Sequence, residues 1–459
     1  MSIENSTLQE EITEILLSPP NPVHARYSCV IITPKFVIHP VKLLSLDISR
    51  DYLSNFSDVV ILEVAIPTGT FQHHIVPYRQ ELKVELIRSL VGETGDTPIE
   101  GDEPWLRNYR AILEDETDTA AQASEGEAPT AGVANLDSLT NVKFQLMDEA
   151  LEQIRASQVG GIYYDEIPGN VLRYIITDAS KKLDLPDEEK IGGVDIVKFD
   201  NQTKHPQIVI PHGTKVQDVA LLIQTDWGGI YNTGVGCYLQ DAVWYIWPTH
   251  NTKRGDQERR LLQFINLPPN RYPGIERTYR EQGKTVIALS TGEVAQQDTS
   301  NQDQLNTGHA TRFTHTDQMW KGINTFEKNF GEASKDNKFI VKREENNSEY
   351  VSIERPGVMN APMSDTRLRN NSFVEPSKLA TKAGTVMTLT WEYSKPELVF
   401  PGQPVKIQYL KNDAVEELQG LVVGAHHYIH DPSKGPVQYR HLCNSAISVF
   451  VETPLAPTE

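Results

Sequence analysis

The 459-residue sequence predicts a β-rich α+β protein, in which two antiparallel β units, one towards each end, flank a mixed α+β middle region. Three observations predict it. Apolar and polar residues alternate with period 2 in Leu82-Lys83-Val84-Glu85-Leu86 and in Met387-Thr388-Leu389-Thr390-Trp391, as half-buried strands require. Apolar residues at helical spacing concentrate between those stretches, at Val171, Leu172, Ile175, Ile176 and Ala179 and at Val216, Val219, Ala220 and Ile223. Turn signals built on proline and glycine separate the strand candidates at both ends.

Residues 385–459 make the clearest unit. Met387, Leu389 and Trp391 share one strand face. Phe400-Pro401-Gly402-Gln403-Pro404 then reverses the chain, proline fixing φ and glycine supplying the freedom to turn. Val405, Ile407 and Tyr409 alternate with Lys406 and Gln408, and a polar loop is expected from Lys411 to Gln419. Leu421 to Ile429 reads as a long apolar strand, and Asp431-Pro432-Ser433-Lys434-Gly435-Pro436 as a second turn. Val437, Tyr439, His441, Cys443, Ile447, Val449 and Val451 form the returning edge. This succession describes an antiparallel barrel or sandwich.

The rest of the chain divides as follows. Residues 1–23 read as an N-terminal tether: a weakly amphipathic segment (Ile12, Ile15, Leu16) stopped by Ser18-Pro19-Pro20-Asn21-Pro22. Residues 24–91 are the first β unit, with strands at Tyr27–Ile32 and Val59–Ile66, a hairpin-type turn at Pro67-Thr68-Gly69, and a period-2 strand at Leu82–Arg88. Residues 92–136 are an acidic, flexible insertion, because low hydrophobicity with charge of one sign does not build a core; only Trp105, Leu106 and Tyr109 offer anchors. Residues 137–290 are the mixed α+β domain, opened by a helical pattern at Leu146, Met147, Ala150, Leu151 and Ile154. Residues 291–384 are polar loops with one helix holding Trp320, Ile323, Phe326 and Phe330.

Composition excludes several function classes. A domain scale of roughly 100–200 residues makes this a multidomain chain. The formal net charge of −19 argues against general nucleic-acid binding, which needs clustered Lys and Arg, and against an anionic membrane surface. Cys29, Cys237 and Cys443 are far apart and lack a Cys-x-x-Cys spacing, which argues against a disulfide framework or a zinc site. No signal peptide is expected from the acidic N-terminus, and no apolar run approaches the roughly 20 residues that cross a bilayer.

No arrangement in the sequence demands chemistry. His426, His427, His430 and His441 are dense, but on a strand His426 and His430 share one face while His427 points the other way, so three ligands do not converge. His73 and His74 face the same objection. Asp165-Glu166 lacks the second, spatially separate carboxylate that a glycosidase pair needs. Gly228-Gly229 and Gly234-Val235-Gly236 lack the strand-before, helix-after context of a phosphate loop. Trp227, Tyr231, Tyr238, Trp244, Tyr245 and Trp247 read as domain core, with a carbohydrate-stacking platform as the alternative. No catalytic residue, cofactor or metal is therefore expected.

Two stretches carry a family resemblance. One is Asp58-Val59-Val60-Ile61-Leu62-Glu63-Val64, followed by Phe71, Ile75-Val76-Pro77 and Leu82-Lys83-Val84-Glu85-Leu86. The other is Phe400-Pro401-Gly402-Gln403-Pro404-Val405-Lys406-Ile407 with Gly420-Leu421-Val422-Val423-Gly424-Ala425-His426-His427-Tyr428. They cover a minor part of the chain and resemble the central hub (tail hub) proteins of contractile-tail baseplates in bacteriophages. The resemblance implies a structural virion protein in the tail baseplate, synthesised in the host cytoplasm. It implies a homotrimer in which each subunit gives two tube-type antiparallel β-barrels, so that a ring of barrels adapts the sixfold tail tube to the threefold central spike. The implied partners are the tail tube protein or tube initiator, the central spike protein and baseplate wedge proteins. DNA is met only in transit through the lumen, and no membrane is entered. The segments 92–132 and 291–318 depart from a simple version of that pattern. Two other readings stand beside it: another tail structural subunit (tube initiator or wedge), and a carbohydrate- or cell-wall-binding or degrading tail protein.

Overall fold

The computed structural model of the chain describes residues 3–17, 24–91, 105–114, 139–186, 189–254, 260–268, 278–298, 310–315, 358–363, 384–411, 414–432 and 440–452, with isolated positions at 270–272 and 373–381. The expected helix around Trp320 and the start of the expected returning edge, Val437 and Tyr439, lie outside the described residues, as does most of the acidic insertion.

The first β unit comprises β1 (His24–Ile32), β2 (Val37–Ile38), β3 (Lys42–Asp51), β4 (Val59–Pro67), β5 (Lys83–Val91), β6 (Trp105–Leu113) and β7 (Leu139–Asp148). Their hydrogen-bonded order is β3-β4-β7-β6-β5-β1-β2, antiparallel throughout. Alternate residues turn inward: Leu62 and Val64, Val84 and Leu86, Val142 and Phe144 share one core. Three expectations change here. Residues 105–113, inside the stretch read as a flexible insertion, are a barrel strand whose Tyr109 and Ala111 reach that core. Acidic neighbours in the sequence concealed its short apolar pattern. Pro67-Thr68-Gly69 opens helical turns rather than a hairpin, because β4 pairs with β3 and β7 and the chain must cross the barrel end to β5; Phe71 and Ile75 are buried on the way. Leu146 and Met147 end a strand, and the helix begins only at Glu149, where Asp148 accepts a hydrogen bond from the Ala150 amide at 2.8 Å.

The α+β domain holds helices Glu149–Ala156, Pro168–Lys181 and Val219–Asp226 against two small sheets. One pairs β8 (Gln158–Glu166) with β10 (His205–Lys215); the other joins β9 (Gly193–Ile196), β11 (Val235–Gln240) and β12 (Val243–Pro248). Val171, Leu172, Ile175, Ile176 and Ala179, expected on one helical face, are all buried in its core.

The second barrel draws on both sides of the expected border at residue 290. β13 (Leu261–Leu267), β14 (Tyr279–Gln282) and β15 (Thr285–Asp298) precede the small pair β16 (Ala310–His315) and β17 (Val358–Met363). β18 (Gly384–Trp391), β19 (Pro404–Lys411), β20 (Ala414–His430) and β21 (Leu442–Glu452) follow. The ladder β19-β13-β15-β18-β21-β20 closes on itself through the β19–β20 hairpin, making a six-stranded barrel. The 385–459 stretch alone supplies four of those strands, and β13 completes the wall parallel to both β15 and β19. Strands from separated segments need no hairpin, so the parallel arrangement costs no chain reversal. The loop expected over Lys411–Gln419 is instead a tight hairpin pairing Lys411 with Ala414.

Helix Ile3–Leu17, read as a tether, lies on the outside of this barrel and buries Leu8 and Ile15. Two buried aliphatic side chains contribute about 1.5–3 kcal/mol each. That is a small return for ordering a helix at about 1–2 kcal/mol of backbone entropy per residue.

Candidate functional site: the junction between the barrels

One strand belongs to both barrels. At about 3.3 Å per residue, the 17 residues of β20 extend roughly 55 Å. Its first part pairs with β19 and β21; from Gly424 onward it pairs with β3, linking the two ladders into one sheet. The change of partner coincides with a bulge at Val423, where the register against β21 slips between Val422 and Gly424. A bulge bends a strand and increases its twist, which lets one strand serve two barrels. Gly424 fits because a Cβ there would stand 3.1 Å from the Arg50 carbonyl. The first barrel is completed on the same side, where the His441 amide donates to the Ala25 carbonyl at 2.9 Å and the Tyr27 amide donates to His441 Nδ1 at 3.1 Å.

Beneath the bulge lies a buried polar network. Arg50, on the inward face of β3, donates through Nε to Asp58 Oδ2 at 3.1 Å and through Nη1 to the Pro396 carbonyl at 2.9 Å. Tyr238 donates to the other oxygen, Asp58 Oδ1, at 3.0 Å. Both carboxylate oxygens thus accept from donors, the geometry of the ionised form. Burial opposes charge on Arg50, yet Asp58 beside it raises its pKa and keeps it cationic. Tyr52 donates to Gln240 Oε1 at 3.1 Å, and Gln240 Nε2 donates to the Val399 carbonyl at 3.0 Å. One connected network therefore fastens β3, the α+β domain and the 396–399 segment ahead of β19.

His427, fully buried, extends the network. Its Nε2 lies 3.2 Å from Arg50 Nη1, which can only donate, so Nε2 accepts and Nδ1 carries the proton. Nδ1 then donates to Ser445 Oγ at 2.6 Å; Ser445 Oγ lies 2.5 Å from Ser394 Oγ, which donates to the Cys443 carbonyl at 3.3 Å. A nucleophilic serine needs the opposite polarity, with its hydroxyl donating to a basic imidazole nitrogen. Here Ser445 receives the proton of the ring. Burial, and then the Arg50 charge, hold the His427 pKa well below the usual 6.5, so the imidazole is a neutral link in a structural chain.

The cleft beside this network is small. Ser57, Asp58, Arg107, Tyr109, Asp148 and Asp241 line it where the first barrel meets helix Glu149–Ala156 and the β11–β12 turn. Arg107 crosses it, with Nη1 3.2 Å from Asp241 Oδ1 and Nε 3.7 Å from Asp148 Oδ2.

The other candidates fall elsewhere. His426 is exposed and 2.5 Å from Asp47, and His430 stacks on Tyr428 with ring centroids 5.2 Å apart. His73 and His74 sit in the helical turn after β4 rather than on a strand. Among the described residues no three His, Cys, Asp or Glu side chains group to hold a metal. Asp165 is exposed, at φ 52°, and pairs with Lys204. Gly228, Gly229 and Gly234 all take positive φ, as tight turns require. Tyr231, Tyr238, Trp244 and Trp247 are buried, as the core reading expects, and Tyr238 also serves the junction through its hydroxyl. The three thiols are free, and burial raises Cys29 and Cys237 to about 12 and Cys443 to about 11. They are inert at neutral pH. Sequence reading missed Arg50, Asp58, Ser394 and Ser445. The available signal was parity: Arg50 shares the inward face with Leu46, and His427 with Ala425 and Ile429.

No protein-family model and no curated protein matches the sequence. Solved structures show likeness at low identity. A tail protein from Neisseria meningitidis MC58 is 9% identical, with a TM-score of 0.42, over 92% of this chain and 96% of that one. The 43 kDa tail protein of prophage MuSo2 from Shewanella oneidensis is 10% identical, with a TM-score of 0.45, over 92% and 96%. An Escherichia coli component of the type VI secretion system is 8% identical, with a TM-score of 0.39, over 93% and 79%.

Proposed function

We propose that this chain is a structural subunit of a phage tail baseplate, a trimeric hub that joins a sixfold tail tube to a threefold central spike. The observation that carries the reading is the fusion of two β-barrels through β20. Two barrels held side by side in one chain by a shared strand and a buried ionic network form a rigid pair, which is what quasi-equivalent positions in a ring require. Three such pairs supply six barrels. The sequence stretches with hub resemblance, around Val59–Val64 and Pro401–Tyr428, fall in the two barrels and on the shared strand itself. A net negative chain also suits a lumen through which DNA passes without being held.

Tube, spike and wedge proteins are the partners under this reading, and the role needs no catalytic group, cofactor or metal. Native mass measurement of the purified chain tests it directly, with trimers expected alone or on addition of the spike. A chain that stays monomeric with its tube and spike partners present, and that degrades peptidoglycan, would overturn the reading in favour of a cell-wall-acting tail protein.

A further inference from the structure

β8 has an open edge. It pairs with β10 in a two-stranded sheet, and among the described residues no strand takes its other side. β10 buries Ile208 and Ile210 in the core of the α+β domain, but none of the nine residues of β8 is buried. Ile162 and Tyr164, on the outer face, are 52% and 66% exposed, where a solvated sheet face would be polar. Exposed edges are ordinarily blunted with proline, charge or bulges. β10 is blunted in this way: Pro206 and Pro211 lack donors, and its register breaks between Ile210 and Thr214. β8 from Gln158 to Tyr164 carries neither a proline nor a charge.

The strand is complementary to itself. In Gly160-Gly161-Ile162-Tyr163-Tyr164, two glycines and two tyrosines flank one isoleucine. When two copies are laid antiparallel about Ile162, Gly161 faces Tyr163 and Gly160 faces Tyr164, each pair on one side of the sheet. Glycine weakens a strand interior, and a cross-strand aromatic ring over its backbone offsets the loss. His212 lies close to Gly160 from the β10 side, 2.7 Å from where a Cβ would stand, so the incoming Tyr164 ring packs beside that imidazole. The ends agree as well. Glu166 of one strand arrives at the Gln158 end of the other, where Lys215 pairs with Gln158 across the β8–β10 ladder. A parallel arrangement would set Glu166 against Glu166, and like charges opposite one another destabilise.

We propose that β8 is a twofold contact between copies of this chain, in which two β8 strands pair antiparallel about Ile162 and make a four-stranded sheet in the order β10-β8-β8-β10. The contact is isologous, the same strand serving on both sides. It uses no residue of either barrel or of their junction, so it stands whether or not three copies form a hub ring. Combined with such a ring, it joins two rings face to face.

Disulfide trapping on the full-length chain decides the register. Opposed residues of an antiparallel pair have Cα atoms about 4.5–5.5 Å apart, within reach of a disulfide. Gln158 lies four residues off the axis, so its two copies stand about 26 Å apart along the strands. Air oxidation of Ile162→Cys should yield a covalent dimer, with at least tenfold less from the equally exposed position in Gln158→Cys. The unsubstituted chain, oxidised in parallel, sets the contribution of the native thiols. Equal linking of both variants would mark random collision, and no dimer from Ile162→Cys would exclude the pairing; either result overturns the proposal. Ile162→Lys, at an exposed position, should keep the melting temperature of the chain and halve the native mass of the assembled species, from dimer to monomer or from paired rings to single ones. An unchanged mass overturns the proposal too. A dimer that never appears as a hexamer counts against the hub reading and leaves the β8 contact standing.

Discussion

Arg50 Nη1 stands 3.2 Å from Nε2 of a fully buried His427, and the contact fixes the imidazole proton on Nδ1. One guanidinium therefore pairs with Asp58 on one side, opposing the burial that raises its carboxyl pKa, and sets the direction of the His427–Ser445–Ser394 chain on the other. Removing one member of a buried ion pair typically costs about 3–5 kcal/mol, because the remaining charge is stranded. Arg50→Met should lower stability by that order in denaturant titrations followed by tryptophan fluorescence. Arg50→Lys should recover little, since a single ammonium cannot match the planar fork that reaches Asp58, the Pro396 carbonyl and His427 together. A loss below about 1 kcal/mol for Arg50→Met would show that the network contributes little.

Acid should loosen the same junction. Burial pushes His441 down to about 4, and pushes His427 well below its ordinary 6.5. Between those values the unfolded chain binds protons that the folded chain refuses, so stability rises with pH. It is fully present above about 6.5 and is lost as pH falls towards the folded values, at up to about 1.4 kcal/mol per pH unit for each histidine. Melting temperatures measured from pH 7.5 to 5 should fall, and His441→Gln should flatten the slope. An unchanged slope would assign the acid sensitivity to other groups.

Local patterns made the elements legible, and distant pairings were not. Alternation located β5, β18, β19 and β21, and helical spacing located the Pro168–Lys181 helix, because each buries one face that the sequence displays directly. The position of β13 between β15 and β19 leaves no local trace, since both partners run parallel to it and β19 lies far along the chain. Reading Lys411–Gln419 as a loop hid the true length of β20. Its charges are cross-strand partners, with Tyr409 donating to Glu416 at 2.5 Å and Lys406 2.7 Å from Glu417. The junction draws single residues from β3, the loop ahead of β4, the segment after β18, β20 and β21. No motif spacing could have joined them.

Two glycines with left-handed backbones should respond differently to alanine. At Gly402, φ is +62° and a Cβ would stand 2.1 Å from Cδ1 of the buried Trp247, which packs the second barrel against the α+β domain. At Gly283, φ is +59° and nothing lies within 4 Å. Gly283→Ala should cost only the backbone penalty of about 1–2 kcal/mol. Gly402→Ala adds overpacking of about 1–3 kcal/mol and should melt distinctly lower. Equal melting temperatures would mean that Trp247 moves aside freely.

The strongest test of the barrel pair is a proline at Ile407. This residue lies in β19 with Phe264 of β13 on one side and Leu418 of β20 on the other, and its side chain is buried in the second core. Proline cannot donate to a ladder, and its ring does not fit a central strand, so Ile407→Pro should cost about 3 kcal/mol or more. It also removes a buried aliphatic side chain. Because β20 continues from this barrel into the first, the damage should not stop at β19. Hydrogen exchange should show loss of protection along β20 as far as its pairing with β3, and the assembled species should disappear from native mass spectra. The variant Lys406→Ala, one position away at a half-buried, outward-facing site, should leave both intact. If Ile407→Pro opened the second barrel while β3 and the far half of β20 kept their protection, the two barrels would be independent units. The rigid pair on which the ring reading rests would then be lost.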